Sequence, residues 1–150
     1  MEKIVSGGQT GVDRAALDTA LELGLSCGGW CPRGRKAEDG VIDARYPLTE
    51  TESADYDERT RCNVRDSDAT LILNRAALQS GTALTVYIAQ RLGKPYLIID
   101  LDTPLPLETI AGWLGQHKVR TLNVAGPRES RNPGIYDEAK ALLRGVLADL

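Results

Sequence analysis

The residues able to do chemistry in this chain gather in a few short loops. Ser6-Gly7-Gly8-Gln9-Thr10-Gly11-Val12-Asp13-Arg14 places three glycines ahead of an apolar-periodic run. Glycine lets a chain turn tightly and approach a ligand closely, and a following helix offers unpaired N–H groups and a positive dipole end. That combination suits a phosphate or another oxyanion. No Gly-Lys-Ser/Thr follows at Walker A spacing, and the glycines do not fit GxGxxG. The plainer alternative is a glycine-rich turn with Asp13 as a favourable charge at a helix start.

Cys31-Pro32-Arg33-Gly34-Arg35-Lys36-Ala37-Glu38-Asp39-Gly40 carries three cations in four positions, Arg75 adds one, and Gly126-Pro127-Arg128-Glu129-Ser130-Arg131 adds two. Such clusters are ordinarily solvated loops. Here six cations converge on one expected sheet edge of a chain whose net charge is −3, which favours a local anion pocket built on arginine forks. Gln79-Ser80-Gly81-Thr82 could bind a second phosphate or a heterocycle through its N–H groups, and a simple Ser/Thr N-cap explains it equally well.

Other reactive groups carry less. His117 stands alone near a helix end, and Cys27, Cys31 and Cys62 form neither a CxxC pair nor a metal-ligand spacing. Arg33, Arg35 and Lys36 could activate the Cys31 thiol, but a buried, inert thiol is the favoured reading. Paired carboxylates, a GxSxG elbow and HExxH are missing. Nothing in these patterns declares catalysis.

The elements that must position these loops alternate. Lys3-Ile4-Val5 predicts a first strand, and Asp13 to Leu23 a helix stopped by Gly24. Residues 25–31 predict a second strand, and 54–66 a polar helix with Ser53 as N-cap. Residues 69–73 and 95–99 are apolar runs expected of strands covered on both faces. Helices are expected at 82–92, 107–117 and 135–150, and a strand at 121–124. The alternation implies right-handed crossovers and one doubly wound α/β domain, a mainly parallel five-stranded sheet with helices on both faces. Ligands in such sheets bind beyond the carboxyl ends of the strands, which directs attention to loops 6–13, 31–40, 74–82, 100–106 and 125–134.

Composition limits the partners. The 150 residues are 42% hydrophobic and 26% charged, as expected of one soluble globular domain. Two Trp, five Tyr and no Phe leave few stacking platforms for single-stranded nucleic acid, and the acidic balance gives no field that attracts DNA. No apolar run approaches the roughly 18 residues needed to span a bilayer. Three cysteines and no leader pattern lead to the expectation of a reducing cytoplasm.

At these loops the sequence resembles one family. Residues 6–18, Ser6-Gly7-Gly8-Gln9-Thr10-Gly11-Val12-Asp13-Arg14-Ala15-Ala16-Leu17-Asp18, are similar to the opening motif of the molybdenum carrier (molybdenum cofactor carrier protein) family. That family belongs to the SLOG superfamily of Rossmann-like binders of nucleotides and nucleotide derivatives. Gly28-Gly29-Trp30-Cys31-Pro32, Gly34-Arg35, Ala37-Glu38-Asp39-Gly40 and Asn123-Val124-Ala125-Gly126-Pro127-Arg128 resemble its other motifs in order, nearly end to end. The resemblance implies binding of molybdenum cofactor, a pterin dithiolene bearing a terminal phosphate, and a homo-oligomer, with a tetramer favoured. It also implies molybdenum enzymes as recipients.

The loops and the resemblance together assign ligand binding to Ser6, Gly7, Gly8, Gln9, Thr10, Gly11, Asp13 and Arg14. They add Arg33, Gly34, Arg35, Lys36, Arg75, Ser80, Gly81, Thr82, Asn123 and Arg128. The alternatives are a nucleotide-derivative sensor and a phosphoribohydrolase acting on nucleoside 5′-monophosphates. Such superfamily enzymes carry PGGxGTxxE. Only Gly81-Thr82 matches here, and the catalytic glutamate position holds Thr85. Glu38 or Asp39 would have to substitute.

Overall fold

The computed structural model describes residues 1–150. The chain opens with β1 (Lys3–Val5), α1 (Val12–Leu23) and β2 (Ser26–Gly28). An excursion follows, with β3 (Trp30–Cys31), β4 (Lys36–Ala37), β5 (Gly40–Val41) and β6 (Thr49–Glu50). Then come α2 (Tyr56–Arg65), β7 (Ala69–Asn74), α3 (Ser80–Leu92) and β8 (Tyr96–Asp100). The chain closes with α4 (Leu107–Gln116), β9 (Thr121–Ala125) and α5 (Ile135–Leu147). The central sheet has five strands in the order β2-β1-β9-β7-β8, and every pairing within it is parallel. This is a single Rossmann-like α/β domain.

Helix α1 forms because Val12, Ala15, Ala16, Leu17 and Ala20 recur on one buried face. It stops at Gly24, whose left-handed backbone (φ 72°) turns its N–H back to the carbonyls of Ala20 and Leu21. One face of the sheet packs α1, α4 and α5 in a continuous cluster of 19 buried apolar residues. The other face carries α2 and α3 over a cluster of only three, Val64, Ile88 and Ala89. That imbalance leaves room between α2 and α3.

Three expectations change. Residues 25–31 are not one strand. The chain breaks at Gly29 (φ 122°), where a Cβ would lie 2.4 Å from the Ser6 carbonyl. Beyond it, β3 leaves the central sheet and pairs with β6, and β4–β5 forms a separate hairpin. The 31–40 loop is therefore part of this excursion and not a direct exit from the central sheet. The 95–99 strand is not covered on both faces, because β8 is the sheet edge and Ile98 stays 39% exposed. An apolar run cannot reveal whether a further strand follows outside it. Finally, Asp55 rather than Ser53 occupies the capping position of α2, with no side-chain capping bond, and the Ser53 hydroxyl instead accepts from the Asp55 N–H at 2.9 Å.

The chain leaves β1 for α1 on one face and leaves β7 for α3 on the other, with β9 between them. A crevice beyond the carboxyl ends is the geometric result.

Candidate functional site

A cleft of about 460 Å³ occupies that crevice. Its walls are the glycine loop after β1, the inner side of α2, the start of α3 and the segment leaving β9.

The glycine loop is held from inside. The Ser6 hydroxyl donates to the Asp13 carbonyl at 2.8 Å and accepts from the Gly8 N–H at 3.4 Å. Gly11 has φ 77°, and a Cβ there would meet the Pro127 carbonyl at 2.4 Å, so this position brings the glycine loop against the β9 exit. Gln9 ties the loop to the excursion, because its side-chain oxygen accepts from the N–H groups of Thr10 (3.1 Å) and Glu38 (2.8 Å). Arg14 holds the Gly8 carbonyl through Nε and Nη2 and pairs with Asp39 at 3.0 Å. The Glu38 carboxylate accepts from the hydroxyls of Thr10 and Ser130 and lies 4.0 Å from Arg128. Burial opposes the Glu38 charge, yet the hydrogen bonds from Ser130 and Thr10 hold its carboxyl below the usual range.

Arg59 of α2 lies flat on this loop. It donates to the Gly7 carbonyl at 3.0 Å and sits 3.6 Å from the Asp13 carboxylate. A Cβ on Gly7 would strike its guanidinium at 2.3 Å, so the missing side chain makes the contact possible. Both partners are nearly buried, at 13% and 8% exposure. Burial pushes the Asp13 carboxyl up to about 6, against the pull of Arg59 and the N–H groups of Gln9 and Gly7.

Across the cleft α3 begins at Ser80, and no side chain caps its free N–H groups. The simple N-cap reading of Ser80 and Thr82 therefore does not describe this helix start, whose capping position holds Gln79. Open N–H groups at a helix start favour an anion. Arg128 and Arg131 complete the positive wall.

Of the residues assigned from sequence, Gly7, Gln9, Asp13, Ser80, Gly81, Thr82, Asn123 and Arg128 line this cleft. Ser6, Gly8, Thr10, Gly11 and Arg14 shape the loop from behind. The remaining cations lie elsewhere. Arg35 donates to the carbonyls of Ile42, Asp43, Tyr46 and Leu48, clamping the excursion. Gly34 donates its N–H to Glu50 at 2.6 Å. Arg33 borders a shallow depression with Glu50, Thr51 and Glu52. Lys36 rests 4.9 Å from the Tyr56 ring centre, and Arg75 pairs with Asp102 and Glu138. The six cations do not form one pocket, because Arg35, Lys36 and Arg75 answer local carbonyls, a ring and carboxylates, and Arg33 borders a separate depression.

Sequence reading missed the α2 wall, Tyr56, Arg59, Thr60 and Asn63. A usable signal existed: a helix against a sheet with Val64 as its one buried apolar residue must cover something polar. Cys31 is fully buried, and burial pushes its thiol up, which fits an inert role. His117 ends α4 with its ring edge against Trp113. No group of three or more His, Cys, Asp or Glu converges to hold a metal ion. No helix is long and apolar enough to cross a membrane.

No curated protein matches the chain. A crystal structure of "Putative molybdenum carrier protein" from Syntrophus aciditrophicus SB superposes with a TM-score of 0.94 and 45% sequence identity, over 99% of this chain and 96% of that one. Residues 4–147 match the circularly permuted YpsA SLOG family. With 144 of its 150 residues covered by that match, the chain belongs to the circularly permuted YpsA SLOG family.

Proposed function

We propose that this protein binds molybdenum cofactor as cargo and carries or stores it in the cleft at the sheet's switch point. The observation that carries this reading is the uncapped start of α3 sharing one cleft with Arg59, Arg128 and Arg131. Helix N–H groups and arginine forks suit a terminal phosphate. The volume of about 460 Å³ falls in the range of roughly 300–1,000 Å³ typical of small-molecule sites. In this reading the chain holds the organic part of the ligand, and the pterin dithiolene keeps the metal. The kinship with a protein named a molybdenum carrier supplies the identity of the cargo.

Carriage is favoured over phosphoribohydrolysis. Thr85, at the position of the enzymes' glutamate, donates its hydroxyl to the Gly81 carbonyl at 3.1 Å. Glu38 and Asp39 are engaged by Thr10, Ser130 and Arg14, outside the cleft. We also propose the symmetric homo-oligomer that the motif resemblance implies, which light scattering tests directly: a monomer at micromolar concentration refutes it.

Titration with a phosphorylated pterin tests the reading. Arg128→Ala should weaken binding about tenfold or more through loss of a charge-assisted bond, while Arg33→Ala, outside the cleft, should leave it unchanged. Failure of the wild-type protein to bind, or indifference to Arg128, overturns it.

A further inference from the structure

The α2–α3 face of the sheet is polar where a packed sheet is ordinarily apolar. Asn123 stands in the middle strand, with Val5 on one side and Thr70 on the other in register. It is 3% exposed, and Gln9 and Thr82 are 6% and 5% exposed. All three line the cleft. The side-chain oxygen of Gln9 accepts two N–H groups, but its amide nitrogen makes no hydrogen bond. The amide nitrogen of Asn123 donates to Thr70 Oγ1 at 3.2 Å, and its oxygen accepts none. The Thr82 hydroxyl also lacks a partner within the chain. None of these atoms is sealed in the interior, because Asn74 Oδ1 is the one fully buried side-chain polar atom without a partner. They face the cleft.

Nearly buried polar groups are costly unless something satisfies them. Here the Gln9 amide N–H groups, the Asn123 carbonyl and one hydroxyl await partners in the same chamber. Carboxamides are planar, and a ring edge with adjoining N–H and carbonyl or ring-nitrogen groups offers both complements in one plane. We infer that Asn123 and Gln9 read the hydrogen-bonding edge of a planar heterocycle inserted between α2 and α3, with the ligand's phosphate held at the α3 start and Arg128. Asn123 accepts a ring N–H, Gln9 donates to a ring acceptor, and Thr82 serves either sense. This inference rests on the cleft being the ligand site proposed above, and it adds which end of the ligand lies deep. Pterins and purines have such an edge. A sugar phosphate without a base does not.

The test compares a phosphorylated pterin and guanosine 5′-monophosphate with ribose 5-phosphate, on wild-type protein and the double variant Thr70→Val/Asn123→Val. Replacing both partners of the buried bond by apolar groups is close to neutral for stability, so the melting temperature should hold or rise. The wild-type protein should prefer at least one ring-bearing phosphate over ribose 5-phosphate. The variant should lose about tenfold of that preference, with ribose 5-phosphate affinity unchanged. No ring preference in the wild type, or a preference the variant keeps, overturns the inference. Guanosine 5′-monophosphate binding that depends on Asn123, without phosphopterin binding, sinks the carrier reading and leaves this one standing. Phosphopterin binding indifferent to the variant does the reverse.

Discussion

Asp13→Asn should make the ligand-free protein more stable at neutral pH and leave it nearly unchanged in acid. The wild-type carboxyl titrates at about 6, against 3.8 for an ordinary aspartate, chiefly because burial disfavours its charge. A folded-state pKa above the unfolded value means that the native protein holds a proton the unfolded chain has released. Stability therefore falls as pH rises from about 4 to about 6 and is flat beyond. At about 1.36 kcal/mol per pKa unit, ionised Asp13 costs the fold up to about 3 kcal/mol. The attraction to Arg59 at 3.6 Å is already contained in that balance. Asparagine keeps an oxygen for the Gln9 N–H and has no charge to bury. Urea unfolding of both proteins from pH 4 to pH 8 measures the difference. Comparing the pair cancels the acid-side losses from Asp39, Asp66 and Asp68, whose carboxyls their partners hold below the usual range. The Asn variant should gain steadily through pH 4–6 and level off. A pH-independent difference, or a variant that is weaker at pH 7.5 than at pH 4 relative to wild type, would refute the reasoning.

Gly11→Ala should cost at least about 1–3 kcal/mol in backbone strain, since φ 77° with ψ −129° is glycine territory. Its Cβ would also press on the Pro127 carbonyl. Denaturant unfolding within about 0.5 kcal/mol of wild type, the ordinary range of a neutral surface change, would show that the loop can move aside. Incubation with nucleoside 5′-monophosphates should release no free base above background. Turnover near about 1 s⁻¹, the low end of ordinary enzymes, would replace carriage with hydrolysis.

The winding of the sheet was legible because each βα unit carries its own punctuation. Gly24 and Gly93 end α1 and α3 in the left-handed conformation, and β7 is an unbroken buried run. Strand-exit reasoning then reached the glycine loop, the α3 start and the β9 exit, three of the four cleft walls. The fourth was hidden. Arg59 meets Gly7 across 52 positions, and in sequence α2 reads only as a polar helix. The cation-rich stretch misled for a related reason. The Arg35 guanidinium is satisfied by carbonyls at 42–48, and backbone acceptors leave no mark in residue types. A charge count cannot separate an arginine waiting for a ligand from one already occupied by the main chain.

The strand order has a consequence for where motifs fall along a gene. Counted from β7 as the first strand, the same sheet reads 2-1-3-4-5, the winding of flavodoxin-like proteins. The chain enters β1 and leaves α5 at the edge of the sheet opposite the cleft. Joining the ends there and opening the chain ahead of α2 would keep every strand neighbour and every crossover hand. In a protein begun that way, the glycine loop that here follows the first strand would follow the fourth. The cleft is thus a property of a closed cycle of βα units, indifferent to which unit ribosomes reach first. A search that expects its motifs in fixed order would overlook kin that share every wall of it.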